Sequence, residues 1–215
     1  QTGGISLNSI WGSSSADLFA VGENGTILHF DGKSCNEENF STSGNLNGVW
    51  GASASMVYAV GDNGLVLHYD GERWTDDSPV SDILLHALWC GSGSKCLAVG
   101  QDTSVLSRTN SGAWISDNSM GRIGSLRGVW ASGESDIYVV GDFGAILHND
   151  GSGWQSVDSG VDATLYDVWG SAADNVYAVG QAGTILRYNG TEWSAMASGT
   201  TVTLTGIWGN AADDV

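Results

Sequence analysis

The stretch Leu46-Asn47-Gly48-Val49-Trp50-Gly51 decides how the chain is read. It opens a unit that continues through Met56-Val57-Tyr58-Ala59-Val60-Gly61 and Asp62-Asn63-Gly64-Leu65-Val66-Leu67-His68-Tyr69, and closes on Asp70-Gly71-Glu72-Arg73-Trp74. Nearly the same text recurs along the whole chain. The lead tryptophans are Trp11, Trp50, Trp89, Trp130, Trp169 and Trp208, spaced 39, 39, 41, 39 and 39 residues. A fixed period of about 40 residues marks an array in which each repeat is one supersecondary unit.

The units begin near Leu7, Leu46, Leu85, Leu126, Leu165 and Leu204. In each, a first strand is expected around the lead Trp, followed by small and polar residues of turn composition. The second strand ends in Val-Gly, as in Leu18–Gly22, Val57–Gly61, Cys96–Gly100, Ile137–Gly141 and Val176–Gly180. It is short and apolar on both faces. Asn-Gly at 24–25 and 63–64 then predicts a tight hairpin,. Repeat three carries Gln101-Asp102-Thr103-Ser104 instead, which predicts a distorted turn. A third strand runs to Phe30, Tyr69, Arg108, Asn149 or Tyr188, and a fourth opens at Trp74, Trp114, Trp154 and Trp193. Cys35 holds that place in the first unit.

Four short strands joined by turns make an antiparallel sheet with two apolar faces, which needs neighbours stacked on it. Four strands per repeat of this length is the figure for a propeller blade. The expected fold is all-β, a β-propeller of four-stranded antiparallel blades, with five complete repeats and the start of a sixth. Residues 1–215 read as a single propeller domain or part of one. Six lead strands against five complete units leave two readings, five blades that close with one terminal strand to spare or, the favoured one, a piece of a ring of six to eight blades, its missing blades supplied by a longer chain or another copy. The start at Gln1, without Met or a signal-peptide pattern, reads as processed or excised,.

The 215 residues carry 24 acids against 7 bases, a formal net charge of −17, yet 41% are apolar. That apolar fraction is not the composition of a disordered acid. The charge opposes nucleic acid and anionic membranes. No apolar run approaches the ~20 residues of a membrane-spanning helix. Of three cysteines, Cys90 and Cys96 flank Gly-Ser-Gly-Ser-Lys. Two readings stay open: a cross-hairpin disulfide, implying an oxidising compartment, or two buried thiols acting as small hydrophobes.

The repeat resembles those of secreted bacterial propellers related to the Asp-box (BNR) and photosystem II assembly factor families. The matching text is Val-Gly-x-x-Gly-x-Ile-Leu-His, as in Val21–His29 and, with Val66 for Ile, Val60–His68, and then Asp-Gly-x-x-Trp, as in Asp70–Trp74 and Asp150–Trp154. The match covers essentially the whole chain. It implies the propeller fold, and a family that includes binding modules, assembly factors and glycosidases. The chain departs from a full Asp-box, Ser-x-Asp-x-Gly-x-Thr-Trp, by lacking its Ser and Thr and by placing Gly directly after Asp.

His29, His68 and His148 recur at one position, where Ser107 and Arg187 stand in the other units. Sheets packed ~10 Å apart cannot bring such residues within ~2.1 Å of one zinc ion. A histidine bonded within or between blades is expected instead. Asp17, Asp136, Glu23, Asp62 and Asp142 sit at turns, where acids bond their own backbone,. Calcium is the alternative, but no Asp-x-Asp-x-Asp loop supplies its oxygens. The pairs Glu37-Glu38 and Asp76-Asp77 would hold a cation weakly. No cofactor is expected.

The lead tryptophans read as packing between sheets, and Trp74, Trp114, Trp154 and Trp193, beside turns, as the ligand candidates,. Three tripeptides, at 24–26, 39–41 and 189–191, fit the N-glycosylation pattern, and turn chemistry explains two of them,. No Gly-x-Ser-x-Gly, HExxH, P-loop or dinucleotide motif occurs. The expected function is a non-enzymatic, extracytoplasmic binding or scaffolding module of a larger secreted or cell-surface protein, with a protein or glycan partner. The alternatives are a lectin with sites between blades and an Asp-box-type glycosidase, the latter opposed by the scarcity of arginine. Repeat three, with its altered loop and two cysteines, is the expected docking unit.

Overall fold

A computed structural model describes residues 4–38, 40, 42, 44–79, 82–92, 95–117, 119–212 and 214–215. The first sheet holds β1 (Leu7–Ser14), β2 (Asp17–Gly22), β3 (Ile27–Phe30) and β4 (Cys35–Glu37). The second holds β5 (Leu46–Ser53), β6 (Met56–Gly61), β7 (Val66–Tyr69) and β8 (Trp74–Asp76). The third holds β9 (Leu85–Cys90), β10 (Cys96–Gly100), β11 (Val105–Arg108) and β12 (Trp114–Asp117). The fourth holds β13 (Leu126–Gly133), β14 (Asp136–Gly141), β15 (Ile146–Asn149) and β16 (Trp154–Val157). The fifth holds β17 (Leu165–Ala172), β18 (Asn175–Gly180), β19 (Ile185–Tyr188) and β20 (Trp193–Met196). Strands follow chain order in every sheet, and the described residues contain no α-helix.

By its contacts the chain divides into two compact units, residues 1–98 with 106–116, and residues 99–105 with 117–215. In the first unit, Phe19, Val21 and Ile27 of the first sheet pack against Leu46, Val49, Val57 and Trp74 of the second. Tyr58, Val60 and Val66 pack in turn against Leu85, Leu88, Leu106 and Trp114 of the third. In the second unit, Tyr138, Val140 and Ile146 pack against Leu165, Val168, Val176 and Leu186. Odd and even positions of one strand thus serve different cores, as the period-two pleat requires.

The lead tryptophans explain the glycine that follows them. A Cβ on Gly51 would lie 2.6 Å from the ring of Trp11, and one on Gly170 would lie 2.7 Å from the ring of Trp130. Trp11, Trp130 and Trp169 thus each cover the backbone just past the next lead Trp. Repeat three has Cys90 there, and the Trp50 indole N–H donates to the Cys90 carbonyl at 3.2 Å.

Each second and third strand are joined by a turn whose two central residues are left-handed. Asn24 and Gly25 have φ of 55° and 69°, and Asn63 and Gly64 have 56° and 73°. This is the primed turn that suits the strand twist. Repeat three does not distort it, contrary to the sequence expectation. Asp102 and Thr103 take φ of 56° and 61°, the same shape without glycine. A β-branched residue there carries strain of about 1–3 kcal/mol. Its offset is visible: the Thr103 hydroxyl accepts from Ile123 N–H at 2.8 Å and donates to the Gly124 carbonyl at 3.0 Å. The sixth lead segment is a second correction. Residues 203–209 form no strand, because a strand exists by its ladder and among the described residues no strand pairs with this segment.

Candidate functional site

The recurrent histidines belong to an in-sheet clasp. Phe19, Tyr58 and Tyr138 face His29, His68 and His148 across the second and third strands. The rings stack at 4.1, 4.4 and 4.2 Å. His29 Nε2 bonds Asp17 Oδ1 at 2.7 Å and its Nδ1 lies 3.2 Å from Glu38 Oε1. His148 Nε2 bonds Asp136 Oδ1 at 2.6 Å. The other oxygen of each aspartate accepts a hydroxyl, from Ser13 and Ser132. In the fifth sheet Asn175 does the same work between Arg187 and Ser171. His68 has no such aspartate, Met56 standing at that position; burial lowers its pKa, with Asp77 opposing.

A serine, an aspartate and a histidine in contact invite a catalytic reading, but the order is wrong. A base must touch the nucleophile whose proton it takes. Here the aspartate lies between serine and histidine, so the serine hydroxyl is held by the aspartate and not by the histidine. The group ties the end of the first strand to the third.

The acids after Val-Gly correct the expectation that they bond their own backbone. Asp62 Oδ2 accepts from the Asn45 N–H at 3.1 Å and its Oδ1 from the Asn47 amide at 3.3 Å. Asp142 accepts from the Ser125 N–H at 3.1 Å and from Arg127 Nε at 2.7 Å. Burial opposes ionisation of Asp142, but the Arg127 and Ser125 bonds prevail and its pKa is lowered. Glu23 reaches Ser6 likewise. These side chains reach back to the link entering their own sheet. Bonding of the local backbone occurs one turn later. Asp31 accepts from the N–H groups of Ser34 and Lys33, and Asp70 from those of Arg73 and Glu72, which lowers both pKa values.

Asn189 accepts from the Thr191 N–H and hydroxyl in the same manner, and Asn24 sits in a left-handed turn. Turn chemistry therefore accounts for both tripeptides. Asn39 and Ser41 of the third lie outside the described residues.

The second tryptophan set is not one site; each member belongs to its own sheet. Trp74 and Trp114 are 7% exposed, while Trp154 and Trp193 are partly exposed. Trp74 meets Phe19 of the preceding sheet at 5.7 Å and 82°. Trp114 meets Tyr58 at 5.8 Å and 79°, and Trp193 meets Tyr138 at 6.0 Å and 74°. The indole N–H groups of these three are buried without an oxygen or nitrogen partner. All three indoles pack nearly perpendicular to the aromatic ring of the preceding sheet, the edge-to-face arrangement that aromatic pairs favour,.

The seam at Trp193 is open. A cleft of about 260 Å³ lies between the fourth and fifth sheets. Tyr138, Tyr188 and Trp193 form its aromatic wall, with His148, Asp158 and Glu192 around it. Tyr188 lies 5.8 Å from Tyr138 and 5.5 Å from Trp193, ring to ring. Burial pushes the Tyr138 phenol far above its usual range, so it stays protonated. Asp158 and Glu192 are exposed, and among the described residues no ion pair neutralises either. Sequence reasoning named Trp193 but missed both acids, which lie in a link and a turn with no periodic signal.

Cys90 and Cys96 are joined as a disulfide, with Cα atoms 4.1 Å apart, and Cys35 is a free, exposed thiol. Among the described residues no three His, Cys, Asp or Glu side chains lie close enough to hold a metal ion.

No family profile matches the chain, and no curated protein matches it. Solved structures do. YCF48 from Cyanidioschyzon merolae is 15% identical, with a TM-score of 0.70 over 93% of this chain and 73% of that one. YCF48 bound to D1 peptide is 16% identical, with a TM-score of 0.69 over 89% of this chain. The WD40 β-propeller domain of Doa1 is 12% identical, with a TM-score of 0.73 over 92% of this chain and 69% of that one. The chain spans 66% of the peptide-bound YCF48 chain. Likeness at this identity establishes the fold: the five sheets are blades of a β-propeller.

Proposed function

We propose that this chain is a non-enzymatic binding propeller acting outside the cytoplasm, within a larger secreted or cell-surface protein, and that its partner is a protein. The observation that carries the reading is how the chemically capable side chains are used. The Ser–Asp–His groups hold strands together, and in each the serine hydroxyl is bonded to the aspartate rather than to the histidine. What remains for contact is an acidic surface, a polar-rimmed cleft and an apolar face on the first sheet.

That apolar face favours further blades, from a longer chain or a second copy, because Leu7 and Ile10 are exposed where their equivalents are covered. The Cys90–Cys96 disulfide favours an oxidising compartment,. A propeller of this fold that takes a peptide, YCF48 bound to D1 peptide, makes a peptide partner the first to test. The second reading is carbohydrate binding between blades, favoured by Trp193 in the cleft wall.

Parallel screens of the chain against a peptide library and a glycan array separate the two. Selective peptide binding with an empty glycan array is expected. Glycan hits without peptide binding would replace the first reading by the second, and turnover of a glycoside would overturn both.

A further inference from the structure

The cleft between the fourth and fifth blades has a composition that selects its occupant. Its volume, about 260 Å³, lies below the ~300–1,000 Å³ usual for small-molecule pockets. It is the size for one inserted side chain. Its wall is aromatic, from Tyr138, Tyr188 and Trp193, and its rim carries Asp158 and Glu192. Aromatic faces beneath unpaired carboxylates attract a cation from two sides, through the ring quadrupole and through charge.

The protein shows elsewhere how its blade seams take a cation. Between the second and third blades, Arg108 stands at the third-strand end, the place of Tyr188, and its guanidinium carbon lies 5.5 Å from the centre of the Tyr58 ring. Tyr58 is the equivalent of Tyr138. Arg127 of the fourth blade lies over Tyr166 of the fifth at 5.3 Å, and inside the fifth blade Arg187 lies over its cross-strand partner Tyr177 at 5.7 Å. At the place of Arg108 the fourth–fifth seam has Tyr188 instead of a guanidinium, and Asp158 and Glu192 beside it are left for an external cation. The net charge of −17 draws basic segments toward the surface,.

We propose that this cleft binds an arginine or lysine side chain of a basic peptide segment in the partner. The inference rests on the protein-binding reading above and narrows it to one site and one partner chemistry.

The test is an NMR titration of the full chain, reading the indole resonance of Trp193 and the amides of Asp158 and Glu192. The probes are capped Gly-Arg-Gly and Gly-Lys-Gly tripeptides, with the neutral citrulline analogue as control. The expected result is movement of these resonances with both cationic peptides and none with citrulline. The Asp158→Asn/Glu192→Gln double variant, altered only at exposed carboxylates, is expected to bind about 10-fold more weakly with unchanged thermal stability. Equal response to citrulline and arginine, no response to either cationic peptide, or full affinity in the double variant would overturn the inference. So would a neutral sugar that moves the Trp193 signal equally in both forms. Selective binding of a partner that lacks basic residues would end this inference and leave the protein-binding reading standing.

Discussion

The first and second blades are written in nearly the same text and have opposite surroundings. Leu7-Asn8-Ser9-Ile10-Trp11 leads one and Leu46-Asn47-Gly48-Val49-Trp50 leads the other. Leu46 is 0% and Val49 4% exposed, while Leu7 is 46% and Ile10 67% exposed. Both lead strands pair with their second strands in the same register, with the same two irregularities. The ladder is therefore local, and the burial comes from the neighbouring blade. A repeat of this kind specifies its own sheet but depends on the next sheet for its core.

The pair of substitutions Val49→Asp and Ile10→Asp probes this difference most strongly. The first buries an unpaired charge between the first two blades and is expected to cost about 3–5 kcal/mol. The second lies on the open face and is expected to cost no more than ~0.5 kcal/mol. Urea denaturation of the two variants measures both, and similar losses would break the comparison.

Gly51→Ala comes next. The added methyl meets the Trp11 ring at 2.6 Å, and overpacking of this kind costs about 1–3 kcal/mol. Trp11→Ala in the same background should relieve part of that loss, since it removes the clash; a strictly additive cycle would mean that the seam is not formed as described.

A smaller effect separates two versions of one link between repeats. The Ser9 hydroxyl oxygen accepts from the Val49 N–H at 3.2 Å, and Asp167 Oδ2 accepts from the Ile207 N–H at 2.9 Å. The positions are equivalent, but only the second titrates. Burial pushes the Asp167 pKa from 3.8 up to about 6, against two backbone N–H bonds. A folded-state value above the unfolded one means that this contribution is complete below pH ~4 and is lost as pH rises through about 6,. Asp167→Asn is therefore expected to remove that fall, while its single amide oxygen leaves one of the Val168 and Ile207 N–H groups without an acceptor, at a cost of about 1 kcal/mol that offsets part of the gain at pH 7,. Unfolding midpoints from pH 4 to pH 7 check it, and an unchanged pH slope would contradict it. Ser9→Ala, which strips an acceptor from a partly buried N–H, should cost about 0.5–1.5 kcal/mol with no pH dependence.

Much of the fold was legible because it is local. The fourth strands open at Trp74, Trp114, Trp154 and Trp193, and the second strands end at the Gly of Val-Gly, where the text placed them. Asn63-Gly64 announced its turn because those residues accept positive φ without penalty. Thr103 could not be read, since its turn is held by Ile123 and Gly124, twenty residues away. Asp62 and Asp142 were misread for the same reason, their partners lying 17 positions back. The cleft at Trp193 was half legible. Its tryptophan repeats with the period, whereas Asp158 and Glu192 do not, and a seam between two blades has no signature in either blade alone. The lead segment at Leu204 carries the lead text without forming a strand, so the text is not sufficient and a partner strand decides.

Native-state hydrogen exchange compares the two blades most directly, with backbone amides of β1–β2 set against those of β5–β6. If burial by the neighbour stabilises each blade, the β5–β6 ladder should open only with an energy near that of global unfolding, and β1–β2 should open at an energy lower by about 1–2 kcal/mol. Equal protection in the two ladders would contradict the claim that each blade relies on its neighbours for its core.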